Sequence, residues 1–159
     1  MRYIKKFNES NIDTLDELKD FCESNLAFLL DEEYIINYHS YNYTKNGTII
    51  NTIPIEIVNI NRNAELLIQS ALYWDDMKDY IIPFLKRLSN NYTLNSFGEP
   101  SWSNKNLINN DQIYIGIRYI DQSISVPQII LREFSYNNII NDKVNIDDKI
   151  YSIKILVQI

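Results

Sequence analysis

The sequence predicts an α+β domain, a two-layer sandwich with two helices over one face of a mostly antiparallel sheet. Three observations carry this. Asn46-Gly47 stands between two strand-like runs and readily takes positive φ, which predicts a tight hairpin. Tyr151, Ile153, Ile155, Val157 and Ile159 alternate with Ser152, Lys154, Leu156 and Gln158, the plainest strand pattern in the chain. Two other stretches, near 14–30 and 75–90, place apolar side chains at helical spacing.

Residues 1–12 read as a polar tail with Ile4 and Phe7 as apolar anchors, and 13–159 as one domain. Thr14 and Glu17 have the spacing of a capping box, which starts a first helix at 14. Leu15, Leu18, Cys22, Leu26 and Leu29 then share one face to about residue 30. Residues 33–44, rich in Tyr and Ile, suit a strand, and 48–60 return from the hairpin. Pro54 cannot donate to a ladder, which argues for an edge position or a bulge. Asn61-Arg62-Asn63 reads as a turn. Residues 65–73 fit strand or helix, with strand preferred.

Asp75 or Asp76 can cap the second helix, with Met77, Ile81, Phe84, Leu85 and Leu88 on its inner side. Pro83 removes one backbone bond and should kink or restart that helix. Lys86 and Arg87 fall in its expected last turn, where cations suit the dipole. Residues 93–110 read as a loop around Trp102. Strands follow at 111–120 and 126–134, a loop at 135–149, and the last strand after it.

The chain has 159 residues, enough for one domain that buries roughly 70% of its unfolded surface. One Cys excludes a disulfide framework and any Cys-based metal site, and one His excludes a His-rich one. Gly47, Gly98 and Gly116 are too far apart for a phosphate-cradling loop. No stretch reaches the roughly 18 apolar residues of a membrane span, and the N-terminus lacks the apolar core of a secretory signal. These features imply no cofactor and no membrane, and lead to the expectation of a soluble protein that stays inside a cell and is not secreted.

The net charge of −6 is unevenly spread. Residues 1–9 carry Arg2, Lys5 and Lys6 against Glu9, or +2. Residues 13–33 carry eight acids against Lys19, or −7, and the remainder sums to −1. No Lys/Arg stripe marks a nucleic-acid binder. The first helix presents Asp16, Asp20 and Glu23 as a candidate surface for a basic protein partner, set against the plain alternative of a solvated helix face.

No motif specifies a reaction, so a non-enzymatic role is expected. Asp75-Asp76-Met77-Lys78-Asp79 has the letters of an Asp-rich magnesium motif but lacks a second acidic cluster, and dipole or capping roles are preferred. His39 lies among Tyr38, Tyr41 and Tyr43. As a general base it would need a partner, and Glu56 can face it if the register allows. Asp142, Asn145, Asp147 and Asp148 lack the Gly and Glu of a calcium loop. Cys22 reads as a buried structural thiol. Tyr34, Tyr38, Tyr41 and Tyr43 suit either a recognition surface or strand propensity.

The opening Met1-Arg2-Tyr3-Ile4-Lys5-Lys6-Phe7-Asn8-Glu9-Ser10 resembles the short leader of small proteins from large tailed bacteriophages. Trp74 to Leu85 resembles a segment of uncharacterised small phage proteins. In the T4-like group such a leader directs internal proteins into the prohead, and a protease cuts after a Glu. The resemblance makes Ile4 and Phe7 docking anchors, Lys5 and Lys6 basic flanks, and Glu9 the residue before a cut that leaves Ser10 first. Phe7 departs from the Ile or Leu expected two residues before that Glu. The resemblance thus implies a virion- or prohead-associated protein. The alternative is an early phage effector that binds a host protein through the acidic helix.

Overall fold

The computed structural model describes residues 11–39, 41–96 and 113–159. They form the expected α+β architecture around an all-antiparallel, seven-stranded sheet. In chain order the elements are α1 (Asn11–Asn25), α2 (Ala27–Asp31), β1 (Tyr34–Tyr38), β2 (Tyr41–Lys45), β3 (Thr48–Asn59), α3 (Ala64–Ser70) and α4 (Trp74–Asn91). Then come β4 (Thr93–Asn95), β5 (Tyr114–Asp121), β6 (Gln128–Ser135), α5 (Tyr136–Ile140) and β7 (Lys149–Gln158). The strand order is β1-β3-β7-β5-β6, with β2 also on β3 and β4 on β7. The C-terminal strand is therefore central.

Alternation decides which face is buried. Ile53, Ile55 and Ile57 of β3 and Ile153, Ile155 and Val157 of β7 lie in register. With Ile115 and Ile117 of β5 they build one core against Leu18, Cys22, Leu26, Leu29, Trp74, Met77, Ile81, Phe84, Leu85 and Leu88. Both long helices thus lie on one face, as the sequence predicts. A smaller cluster adds to that picture: Leu67 and Ala71, on α3 and just past it, pack with Ile120 on the opposite face.

The Asn46-Gly47 hairpin forms as read. Both residues have positive φ, 52° and 78°, and Lys45 pairs with Thr48 across a two-residue turn. Pro54 departs from expectation, because β3 is an inner strand with β7 on one side. On the other side Pro54 meets the gap between β1 and β2. His39 N–H donates to the Pro54 carbonyl at 3.1 Å, and the N–H that proline lacks falls where β1 has already ended.

Several boundaries are corrected. The first helix starts at Asn11, so Thr14 lies inside it and no capping box opens it there. It breaks at Leu26, just after Ser24 Oγ and Asn25 Nδ2 donate to the carbonyls of Asp20 and Phe21. The strand over 33–44 is two strands, β1 and β2. Residues 64–70 are helical, because Asn63 Oδ1 accepts from the Glu65 and Leu66 N–H groups and caps them. Tyr73, rather than Asp75 or Asp76, is the N-cap of α4. The helix continues through Pro83, whose exposed position leaves the freed Asp79 carbonyl open to water. It ends beyond Lys86 and Arg87, which are not in its last turn. The expected loop at 135–149 contains α5, capped by the Ser135 side chain.

Candidate functional site

Helical spacing puts Asp16, Asp20 and Glu23 on the outer side of α1, and all three are exposed. Leu18 and Cys22 face inward and are fully buried. Lys19, the one cation of α1, leans over the Tyr38 ring at 5.6 Å from its centroid. Among the described residues, no Lys or Arg pairs with Asp16, Asp20 or Glu23. The structure thus brings the three acids predicted for partner binding onto one uncompensated surface. Phe7, Glu9 and Ser10, the leader residues singled out in the sequence, lie outside the described residues.

Cys22 sits beneath this surface. Burial pushes its thiol up to about 12, with the Tyr38 hydroxyl partly offsetting the effect and the Glu23 charge adding to it. A thiol held protonated is a poor nucleophile. Burial likewise raises the Tyr38 hydroxyl, and that of Tyr34. Tyr34 is a structural clamp, not a recognition residue: its hydroxyl donates to the Ile150 carbonyl at 2.6 Å and accepts from Leu72 N–H at 3.0 Å.

The opposite face of the sheet carries the other predicted candidate. Glu56 is largely buried and meets Arg118 Nη1 at 3.3 Å. His39 Nε2 approaches its other oxygen at 3.9 Å, too long for a hydrogen bond, and the imidazole is exposed. The register thus does bring His39 and Glu56 together, but the arginine already occupies the carboxylate. Lys154 lies beside Glu56 on β7.

A cleft that sequence reasoning missed lies where α2, α3 and α4 approach one another. It measures about 520 Å³ and is lined by Asp31, Glu32, Glu33, Asp76 and Lys149, among others. Lys149 Nζ donates to the Ile68 carbonyl and lies 5.3 Å from the Tyr73 ring centre. Glu33 takes a left-handed φ of 63°, and its carboxylate accepts from Asn61 Nδ2 at 2.8 Å. The acidic run of the sequence therefore splits into two surfaces, the outer side of α1 and the rim of this cleft. Only the run of acids was visible in sequence; Asp76 and Lys149 arrive from distant elements.

Among the described residues, no group of three or more His, Cys, Asp or Glu side chains is arranged to hold a metal ion. Asp75 bridges to Lys78 at 3.2 Å, and Lys78 reaches Asp142 at 3.3 Å, so an acid from the first turn of α4 and one from the stretch after α5 share one lysine. No described helix is long and apolar enough to cross a membrane. Comparison with protein-family models, curated proteins and solved structures returns no match for this chain.

Proposed function

We propose that the protein works by binding another protein, through the acidic outer side of α1, and that its partner presents a basic surface. The observation that carries this reading is the row Asp16, Asp20 and Glu23, exposed and without a cationic partner among the described residues. Charge of this kind steers association more than it stabilises a fold. A binding role rather than catalysis is supported by the state of the reactive side chains: Cys22 is buried and Glu56 is held by Arg118. On this reading the protein is an early phage effector acting on a host protein in the host cytoplasm.

Affinity capture from host extract with the full chain tests it. A partner retained by the wild type is expected to be lost when Asp16, Asp20 and Glu23 are all changed to Lys. Retention of the same partner by that variant would overturn the reading. The leader resemblance supports a second reading, a virion- or prohead-associated protein. Mass spectrometry of mature particles is then expected to find a chain beginning at Ser10, and particles lacking this protein would contradict it.

A further inference from the structure

β6 lies at the edge of the sheet, with β5 on one side and, among the described residues, no strand on the other. A single bond sets the phase of the β5–β6 ladder: Tyr136 N–H donates to the Ile113 carbonyl at 2.6 Å. Bonded pairs alternate along an antiparallel ladder. Phe134, Arg132, Ile130 and Gln128 therefore aim their peptide groups at β5, opposite Ile115, Ile117, Tyr119 and Asp121. Glu133, Leu131 and Ile129 aim theirs outward. The side chains of these three lie on the sheet face opposite the long helices, and Ile129 and Leu131 are 48% and 44% exposed.

An unpaired row of peptide groups beside exposed apolar side chains is a template for another strand. Edge strands are commonly blunted by charge or proline. Here Pro127 precedes the strand and Arg132 and Glu133 occupy its second half, while Ile129-Ile130-Leu131 carries no such guard.

We propose that β6 pairs antiparallel with β6 of a second copy of this chain, across a two-fold axis centred on Ile130. Such an axis stands perpendicular to the sheet and keeps each face on its own side. The choice of centre then follows from charge and hydrophobicity. A centre at Arg132 sets two guanidinium groups opposite each other, and one at Glu133 sets two carboxylates opposite each other. A centre at Leu131 opposes Ile129 to Glu133 and Ile130 to Arg132. A centre at Ile129 brings Pro127, which has no N–H, into a bonded position opposite Leu131. The centre at Ile130 opposes Ile129 to the second copy's Leu131 twice, places Arg132 opposite Gln128, and opposes no like charges. Ile129 N–H then donates to the second copy's Leu131 carbonyl, and Leu131 N–H to its Ile129 carbonyl.

One strand pair is a small interface, so the dimer is weak and concentration-dependent. Sedimentation of the full chain from about 1 µM to about 500 µM is expected to show a mass rising from 18.8 kDa towards twice that value. Leu131→Lys, with its far-ultraviolet circular dichroism unchanged, is expected to stay at 18.8 kDa throughout. The register has its own test. Residue 130 meets its own copy in a non-bonded pair, about 4.5 Å between Cα atoms, within disulfide reach. Ile130→Cys is expected to cross-link on mild oxidation and Gln128→Cys is not, while buried Cys22 takes no part. A wild-type mass fixed at 18.8 kDa, or a dimer that survives Leu131→Lys, would overturn the proposal. Cross-linking through Leu131→Cys in place of Ile130→Cys would overturn the register.

Discussion

The two long helices lie on the same face of the sheet and share one core, yet they divide the work unequally. α4 buries six side chains over its 18 residues: Trp74, Met77, Ile81, Phe84, Leu85 and Leu88. Its outer side holds Asp75, Asp76 and Asp79 against Lys78, Lys86 and Arg87, a net charge of zero. α1 buries Leu18 and Cys22 fully, and carries five acids against Lys19, a net charge of −4. Aromatic contacts join the two: Phe21 of α1 lies 6.2 Å from Phe84 and 5.8 Å from Tyr92 between ring centres. α4 is thus fastened by packing and balanced in charge. α1 is fastened more lightly, and its surplus charge serves no contact within the described fold. That surplus is what a partner can use.

Core truncation probes the packing half of this contrast and should give the largest effect. Phe84→Ala on α4 removes a fully buried ring and should cost about 3–5 kcal/mol in urea unfolding. Leu18→Ala on α1 should cost about 2–4 kcal/mol. A larger loss at Leu18 than at Phe84 would reverse the ranking of the helices.

Alkaline pH probes the underside of α1. The Cys22 thiol is raised from an ordinary 9.0 to about 12 in the folded protein. The unfolded chain therefore loses this proton first, so the stability the neutral thiol contributes is complete below pH 9 and falls as pH climbs towards about 12. Unfolding midpoints should decline through that window, and Cys22→Ala should flatten part of the decline. The native thiol should also resist an aromatic disulfide reagent at pH 8 and react promptly in urea. Rapid reaction without denaturant would show that α1 is not seated as described.

A smaller effect tests the polar link between the helices. Arg87 Nη1 donates to Asn25 Oδ1 at 2.8 Å, tying α4 to the end of α1. Arg87→Ala should cost about 0.5–1 kcal/mol and speed amide exchange in the last turn of α1 more than in α4. Equal acceleration in both helices would mean that the link does not hold α1 specifically.

How far the sequence disclosed this arrangement depended on the length of each pattern. β7 alternates cleanly from Ile153 to Val157, and Asn46-Gly47 has a backbone preference strong enough to specify its own turn, so both were legible. Nearer the start of β7 it is Ile150, not Tyr151, that enters the main core, because the ladder to β5 shifts register between Arg118 and Tyr119. α3 is seven residues, too short for a helical period to separate itself from an apolar strand, and the Asn63 cap decides it. The Thr14 and Glu17 spacing misled because the helix already runs from Asn11, and a capping box acts only at the first turn. The acidic side of α1 was legible because helical spacing places Asp16, Asp20 and Glu23 together without reference to the rest of the fold. The cleft was not, since Lys149 and Asp76 meet Glu33 only through tertiary packing. The approach of His39 to Glu56 needed the β1–β3 register, which pairs Asn37 with Glu56.

The central claim is that the acids of α1 are free of any duty to the fold. Urea unfolding of the triple variant Asp16→Lys, Asp20→Lys, Glu23→Lys beside the wild type measures this directly. Equal stability within about 0.5 kcal/mol, or a modest gain from relieved like-charge repulsion, is the expected result. A loss of more than about 2 kcal/mol would contradict it, because the acids would then be part of what holds α1 in place.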